Sequence, residues 1–182
     1  MQELSLNVLD IAQNSIAANA SVVNIDIEKD TALSQLRLSV RDDGRGMSEE
    51  QVQKVTNPFF TTRTTRKVGM GIPLFKMAAE MSGGSFSIES KLGEGTVITG
   101  VFRTDNIDCV PLGDISSTVA MLITLNENIN FIYSYSVDGR EFTASTEEFK
   151  RALGDGVSLA VPEIANWIED YLRENVAALE EA

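Results

Sequence analysis

Between residues 4 and 40 the spacing of apolar side chains changes period once, and that change restricts the fold more than any other feature of the chain. Leu4, Val8, Ile11, Ala12 and Ile16 recur at three- and four-residue steps, the period of a helix with one buried face, so a helix is expected over residues 4–19. Val23, Ile25 and Ile27 then alternate with Asn24, Asp26 and Glu28. Leu36, Leu38 and Val40 alternate in the same way with Arg37, Ser39 and Arg41. A period of two sends successive side chains to opposite faces, so both stretches read as half-buried strands. Another helix is expected over residues 74–82, stopped by Gly83 and Gly84, because glycine takes the left-handed stop conformation at little cost. Strands follow near 85–90 and 96–102. This order suits a mixed or antiparallel sheet with helices on one face.

The composition shifts beyond Asp105, where Pro111 and Gly113 mark a connector, which suggests two units over residues 1–104 and 105–182. In the second unit, residues 114–126 favour a helix capped by Asp114, although their β-branched content also suits a strand. Asp138-Gly139, between apolar runs at 130–137 and 140–144, is a strong signal for a two-residue hairpin turn with positive φ at both positions. Ser145 and Glu148 have capping-box spacing before a short helix. Pro162 suits the start of a last helix, whose Ile164, Trp167, Ile168, Tyr171, Leu172, Val176 and Leu179 form an apolar stripe. That stripe either packs on the hairpin or joins a partner, and packing is the expectation.

Composition narrows the function. At 182 residues, 43% hydrophobic and 23% charged, the chain has the make-up of a soluble globular protein. The longest apolar run, residues 119–123, is far too short to span a bilayer, and the first residues carry no basic, apolar leader. A cytoplasmic protein without membrane contact is expected. The lone Cys109 reads as a small, partly buried apolar residue and fits a reducing compartment. Fifteen basic against 27 acidic residues leave a net charge of −12, which opposes binding to a phosphate backbone and argues against nucleic acid as a partner. With no histidine in the chain, none of its own imidazoles can accept a phosphoryl group.

Four short segments carry chemistry: Asp10-Ile-Ala-Gln-Asn14, Asp42-Asp43-Gly44-Arg45-Gly46-Met47, Asn57-Pro58-Phe59-Phe60-Thr61-Thr62 and Gly69-Met70-Gly71-Ile72. Asp10 and Asn14 are four residues apart on the first helix, so their side chains share a face, roughly 5–6 Å apart at Cβ. Residues 61–69 hold Arg63, Arg66 and Lys67 and no acid, which suits either phosphate contact or a solvated loop. Gly69 to Ile72 open a helix, where free backbone N–H groups and the positive dipole end favour anions.

In order and spacing these segments resemble the boxes of the GHKL ATPases, the superfamily of DNA gyrase, a heat-shock chaperone, histidine kinases and MutL. The resemblance covers about residues 4–103 and implies an α+β fold, the two-layer α/β sandwich called the Bergerat or histidine-kinase ATPase fold, here with a small α+β C-terminal extension. It implies ATP and Mg²⁺ as cofactors. Asn14 would ligate Mg²⁺ through its amide oxygen, and Asp10 would act as general base on an attacking water. The family usually has glutamate there; aspartate is shorter, and a misplacement of about 1 Å can cost on the order of 100-fold. Asp42 would accept from the adenine amino group, an acceptor-only carboxylate selecting a donor over the carbonyl of guanine. Gly44, Gly46 and Met47 would pass beneath the base, and Thr96, after the turn Gly93-Glu94-Gly95, would bond near it. Phe59 and Phe60 would pack as a hinge for the lid. Thr62, Arg63, Lys67, Gly69, Met70, Gly71 and Ile72 would serve the phosphates, although Ile72 and Pro73 replace the family's usual leucine and glycine.

The resemblance implies a regulatory protein that acts on a protein partner, as a kinase in trans or as an ATP-dependent switch. Anti-sigma serine kinases of the same superfamily exemplify the first mode. A homodimer is compatible with it, and a non-catalytic interaction protein on the same scaffold is the alternative.

Overall fold

A computed structural model describes residues 3–57, 59 and 70–182. The chain forms, in order, α1 (Leu4–Ala17), β1 (Val22–Asp30), β2 (Gln35–Asp42), α2 (Glu49–Thr56), α3 (Gly71–Met81), β3 (Ser85–Lys91), β4 (Gly95–Arg103), α4 (Ile115–Leu125), β5 (Asn130–Val137), β6 (Arg140–Ser145), α5 (Thr146–Leu153) and α6 (Pro162–Glu181). The six strands make one sheet in the order β3-β4-β2-β1-β5-β6. Every neighbouring pair is antiparallel except β1 with β5. This mixed α+β architecture agrees with the expected sandwich.

Alternation along the strands decides which face is covered. Val23, Ile25 and Ile27 of β1 and Phe131, Tyr133 and Tyr135 of β5 are at most 1% exposed. Helices α3, α1, α4 and α6 lie side by side in contact with the sheet or with one another. Phe75 of α3 sits directly over Gly100 of β4, where an added Cβ would come within 2.6 Å of its ring. The same ring lies 5.4 Å from that of Phe102, so a missing side chain on the strand makes room for an aromatic on the helix.

Local chemistry explains the ends of the elements. The first N–H groups of α1 lack helical partners and are met by the connector: Leu4 N donates to Pro111 O at 2.9 Å and Ser5 N to Leu112 O at 2.8 Å. Helix α3 stops at Gly83 (φ 80°), and Gly84 N returns to Ala79 O at 3.0 Å. The Asp114 carboxylate caps α4 by accepting from Ser117 N at 3.0 Å, which settles residues 114–126 as helical. Asp138 and Gly139 turn the β5–β6 hairpin at φ 50° and 82°, and Ser145 caps α5.

Two findings go beyond the sequence reading. Helix α2 fills a stretch expected as loop; Ser48 and Gln51 form a reciprocal capping box at its start. The residues after 105 are laid onto the same sheet as those before it, because β5 pairs in parallel with β1 over the full run from Val22↔Asn130 to Lys29↔Val137. The stripe on α6 faces α4 and the β5–β6 hairpin, with Ile168 and Leu172 fully buried.

A sheet shared along its length should melt as a unit. Denaturant unfolding followed at the single tryptophan, Trp167, and by far-ultraviolet circular dichroism should give coincident curves. Phe131→Ala should shift both together by about 3–5 kcal/mol. Two separated transitions would contradict a common core.

Candidate functional site

A cavity of about 270 Å³ opens between α1, α2, α3 and the ends of β2 and β4. A larger hollow of about 440 Å³ lies between β6, α5 and α6, but the smaller one gathers the residues singled out from the sequence. Asn14 lines it from α1, Asp42, Gly46 and Met47 from β2 and the loop after it, Ile72 from α3 and Thr96 from β4. Its walls also contain Ile11, Ala18, Val40, Val55 and Ile98, so a planar apolar group would meet hydrocarbon on several sides.

Strand register builds the floor. Val40 pairs with Ile98 and Asp42 with Thr96, and residues two apart share a face. The apolar pair therefore leads into the polar pair along one wall. At Asp42 each carboxylate oxygen has a donor from the chain: Ser15 Oγ donates to Oδ2 at 2.6 Å and Gly44 N to Oδ1 at 2.9 Å. A carboxylate has about four lone-pair sites, so each oxygen keeps capacity for a donor arriving through the cavity. The neighbouring Asp43 is committed elsewhere, accepting from Ser21 N at 2.7 Å and Val22 N at 2.9 Å.

The glycines hold the loop where it is. Gly46 has φ 68°, and a Cβ there would lie 1.9 Å from Lys91 O. At Gly44 a Cβ would meet Ala18 at 2.8 Å. The loop is pinned further by Arg45 N to Ala18 O at 3.0 Å and by Met47 N to Ser90 Oγ at 2.8 Å. Ser90 Oγ shares a 2.7 Å hydrogen bond with Thr96 Oγ1, so the threonine reaches Asp42 through strand pairing and its hydroxyl meets Ser90.

Asp10 takes a different place from Asn14. It does not line the cavity; it stands where α3 begins, and a Cβ on Gly71 would come 2.6 Å from its own Cβ. That glycine lets the α3 N-terminus approach α1. Asp10 is exposed, and the desolvation it does undergo beside α3 moves its carboxyl above the usual aspartate range. Met70, the residue before α3, is exposed. Thr62, Arg63, Lys67 and Gly69, with Phe60, lie outside the described residues. Of the aromatic pair expected to pack as a hinge, only Phe59 is described; it is 93% exposed, and its N–H donates to the Asn57 side chain at 2.9 Å.

Sequence reasoning missed Ser15, Arg45 and Val55 as residues of this cavity. Ser15 follows the assigned Asn14 and falls on the buried side of α1, which is the signal that could have found it.

A carboxyl with a higher pKa folded than unfolded contributes stability below its unfolded value, and that contribution is lost as pH rises through the folded value. At neutral pH the ionised Asp10 therefore opposes folding. Asp10→Asn should raise the thermal midpoint at neutral pH, and the gain should vanish as pH falls below the ordinary aspartate range. A loss of stability at neutral pH would contradict this.

Known proteins resemble the chain in sequence and in fold. The profile of the histidine kinase-, DNA gyrase B- and HSP90-like ATPases matches residues 1–106. Sporulation kinase C of Bacillus subtilis is 32% identical over 91 residues, which are 49% of this chain and 21% of that protein. Sensor histidine kinase ZraS of Salmonella typhimurium is 28% identical over 93 residues, 50% of this chain and 20% of that kinase. The chain spans about a fifth of the length of these curated relatives. In fold, the N-terminal domain of a DNA repair protein superposes with a TM-score of 0.52 at 14% identity, covering 86% of this chain and 58% of that one. Among the described residues no helix is long and apolar enough to cross a membrane.

Proposed function

The chain belongs to the histidine kinase-, DNA gyrase B- and HSP90-like ATPase family, and from that premise we propose that it binds Mg·ATP and acts on a protein partner, as a kinase in trans or as an ATP-dependent switch. Family membership implies ATP binding. The observation that carries the rest is the half-buried Asp42 carboxylate, held by two donors at the polar end of an apolar cavity that Asn14 also lines from α1.

The residues present suit the nucleotide. Ile11, Val40, Ile72 and Ile98 offer apolar surface to a base, and Asp42, which accepts but does not donate when ionised, favours a purine with an exocyclic amine. Gly44 and Gly46 keep the backbone close beneath it. Asn14 offers the neutral oxygen that a hard cation such as Mg²⁺ takes alongside water and phosphate oxygens. Met70, Gly71 and Ile72 bring the α3 N-terminus to the phosphate side, and Thr62, Arg63, Lys67 and Gly69 are assigned to the phosphates from the sequence. Bound Mg·ATP supplies a phosphoryl group. Asp10, beside Gly71, is assigned as the base that takes a proton from the acceptor or from water.

With no histidine among these 182 residues, a histidine acceptor would lie outside them. The kinase relatives favour transfer to a protein. In cells the protein is taken to work in the cytoplasm, and a homodimer is compatible with this reading.

Titration calorimetry and turnover on three proteins test this reading. Wild type should bind Mg·ATP in the micromolar to millimolar range. Asn14→Ala should lose the Mg²⁺-dependent part of binding, and Asp10→Asn should keep binding and lose turnover. Equal Mg·ATP binding by both variants would refute the assignment of Asn14. Absence of wild-type binding at millimolar nucleotide would favour a non-catalytic interaction protein. Label from γ-³²P-ATP appearing on a second protein, acid-labile or acid-stable, would separate phosphohistidine from phosphoserine, and its absence would favour the switch.

A further inference from the structure

Ser15 is 1% exposed in the last turn of α1. A serine in a helix interior ordinarily turns its hydroxyl to the carbonyl one turn earlier. This one instead crosses to another element and donates to Asp42 Oδ2 at 2.6 Å, 27 residues away in sequence. Both residues border the cavity. The bond is short and charge-assisted, and it joins the helix that carries Asn14 to the strand that carries the acceptor.

We propose that Ser15 is a positioning residue that sets the base selectivity of the site, holding the Asp42 carboxylate so that its free lone pairs face the cavity and a 6-aminopurine is accepted in preference to a 6-oxopurine. The proposal rests on the nucleotide-binding reading above. Gly44 N, the other donor, restrains only Oδ1. Without the serine hydroxyl the carboxylate can rotate about χ2, whose well is broad. The geometry at Oδ2 is then set by solvent. The neighbouring Asp43 cannot substitute, because its carboxylate is tied to Ser21 N and Val22 N. A role confined to tying α1 to β2 would weaken every nucleotide alike, whereas a role in orienting the acceptor alters the preference between bases.

The test measures Mg·ATP and Mg·ITP affinities on the full chain, since these nucleotides differ in the purine six-membered ring and share ribose and phosphates. Wild type should prefer ATP. Ser15→Ala should reduce the ratio of ITP to ATP dissociation constants by about tenfold, the effect of losing a hydrogen bond to a charged group. Ser15→Thr, which keeps the hydroxyl, should preserve the ratio. Should Ser15→Ala not fold, Ser15→Cys, similar in size with a weak donor, carries the same comparison. An unchanged ratio with both affinities reduced would overturn the proposal and leave Ser15 as a structural tie. Wild type binding neither nucleotide would overturn the nucleotide reading itself, and the selectivity role with it.

Discussion

A carboxylate at the edge of an apolar cavity is the interaction on which the site depends, and the fold is arranged to hold it. Asp42 ends β2, where strand pairing gives way to loop, and two chain donors meet it from different directions: a helix hydroxyl and a loop N–H. An ionised acid at such a place is costly unless its oxygens are hydrogen-bonded. The loop can supply its N–H because Gly44 and Gly46 allow it to press against Ala18 and Lys91, where a side chain would collide. The sheet and first helix thus meet at one polar point surrounded by Ile11, Val40, Ile72 and Ile98.

The remainder of the chain stabilises that meeting point from a distance. Helix α1 is anchored at its N-terminus by the connector carbonyls of Pro111 and Leu112 and is flanked by α3 and α4. The parallel pairing of β5 with β1 places a second set of buried aromatics beside the strand adjoining β2. Residues far along the sequence, Phe131 and Tyr133 among them, therefore support the element against which α1 rests. Asp10 is a local exception to this stabilising pattern. Its partly desolvated carboxyl sits where Gly71 lets α3 approach, the kind of unfavourable placement that functional sites retain.

Much of this was legible in the sequence because it rests on local chemistry. The period change after residue 19 marked α1 and the first two strands, Gly83-Gly84 marked the end of α3, and Asp138-Gly139 marked the hairpin. Asp42, Asn14 and Thr96 were singled out by the resemblance to the GHKL motifs, and all three line one cavity. What escaped depends on pairing or on short elements. Helix α2 has only Val52 and Val55 as apolar landmarks, too few to show a period, although its capping box was readable. The parallel pairing of β5 with β1 is a non-local choice that no strand carries in its own pattern. Ser15 carries no signal beyond its helical face until β2 is placed beside α1. Asp10 and Asn14 share a face by spacing, yet only Asn14 lines the cavity, because the entry of α3 at Gly71 occupies the space next to Asp10.

The most direct measurement is a crystal structure of the chain with a non-hydrolysable ATP analogue and Mg²⁺. The account predicts the purine amine within hydrogen-bond distance of the Asp42 carboxylate, the ring between Val40, Ile72 and Ile98, and the cation on the side-chain oxygen of Asn14. A nucleotide bound elsewhere, or a cavity left empty at saturating ligand, would contradict it.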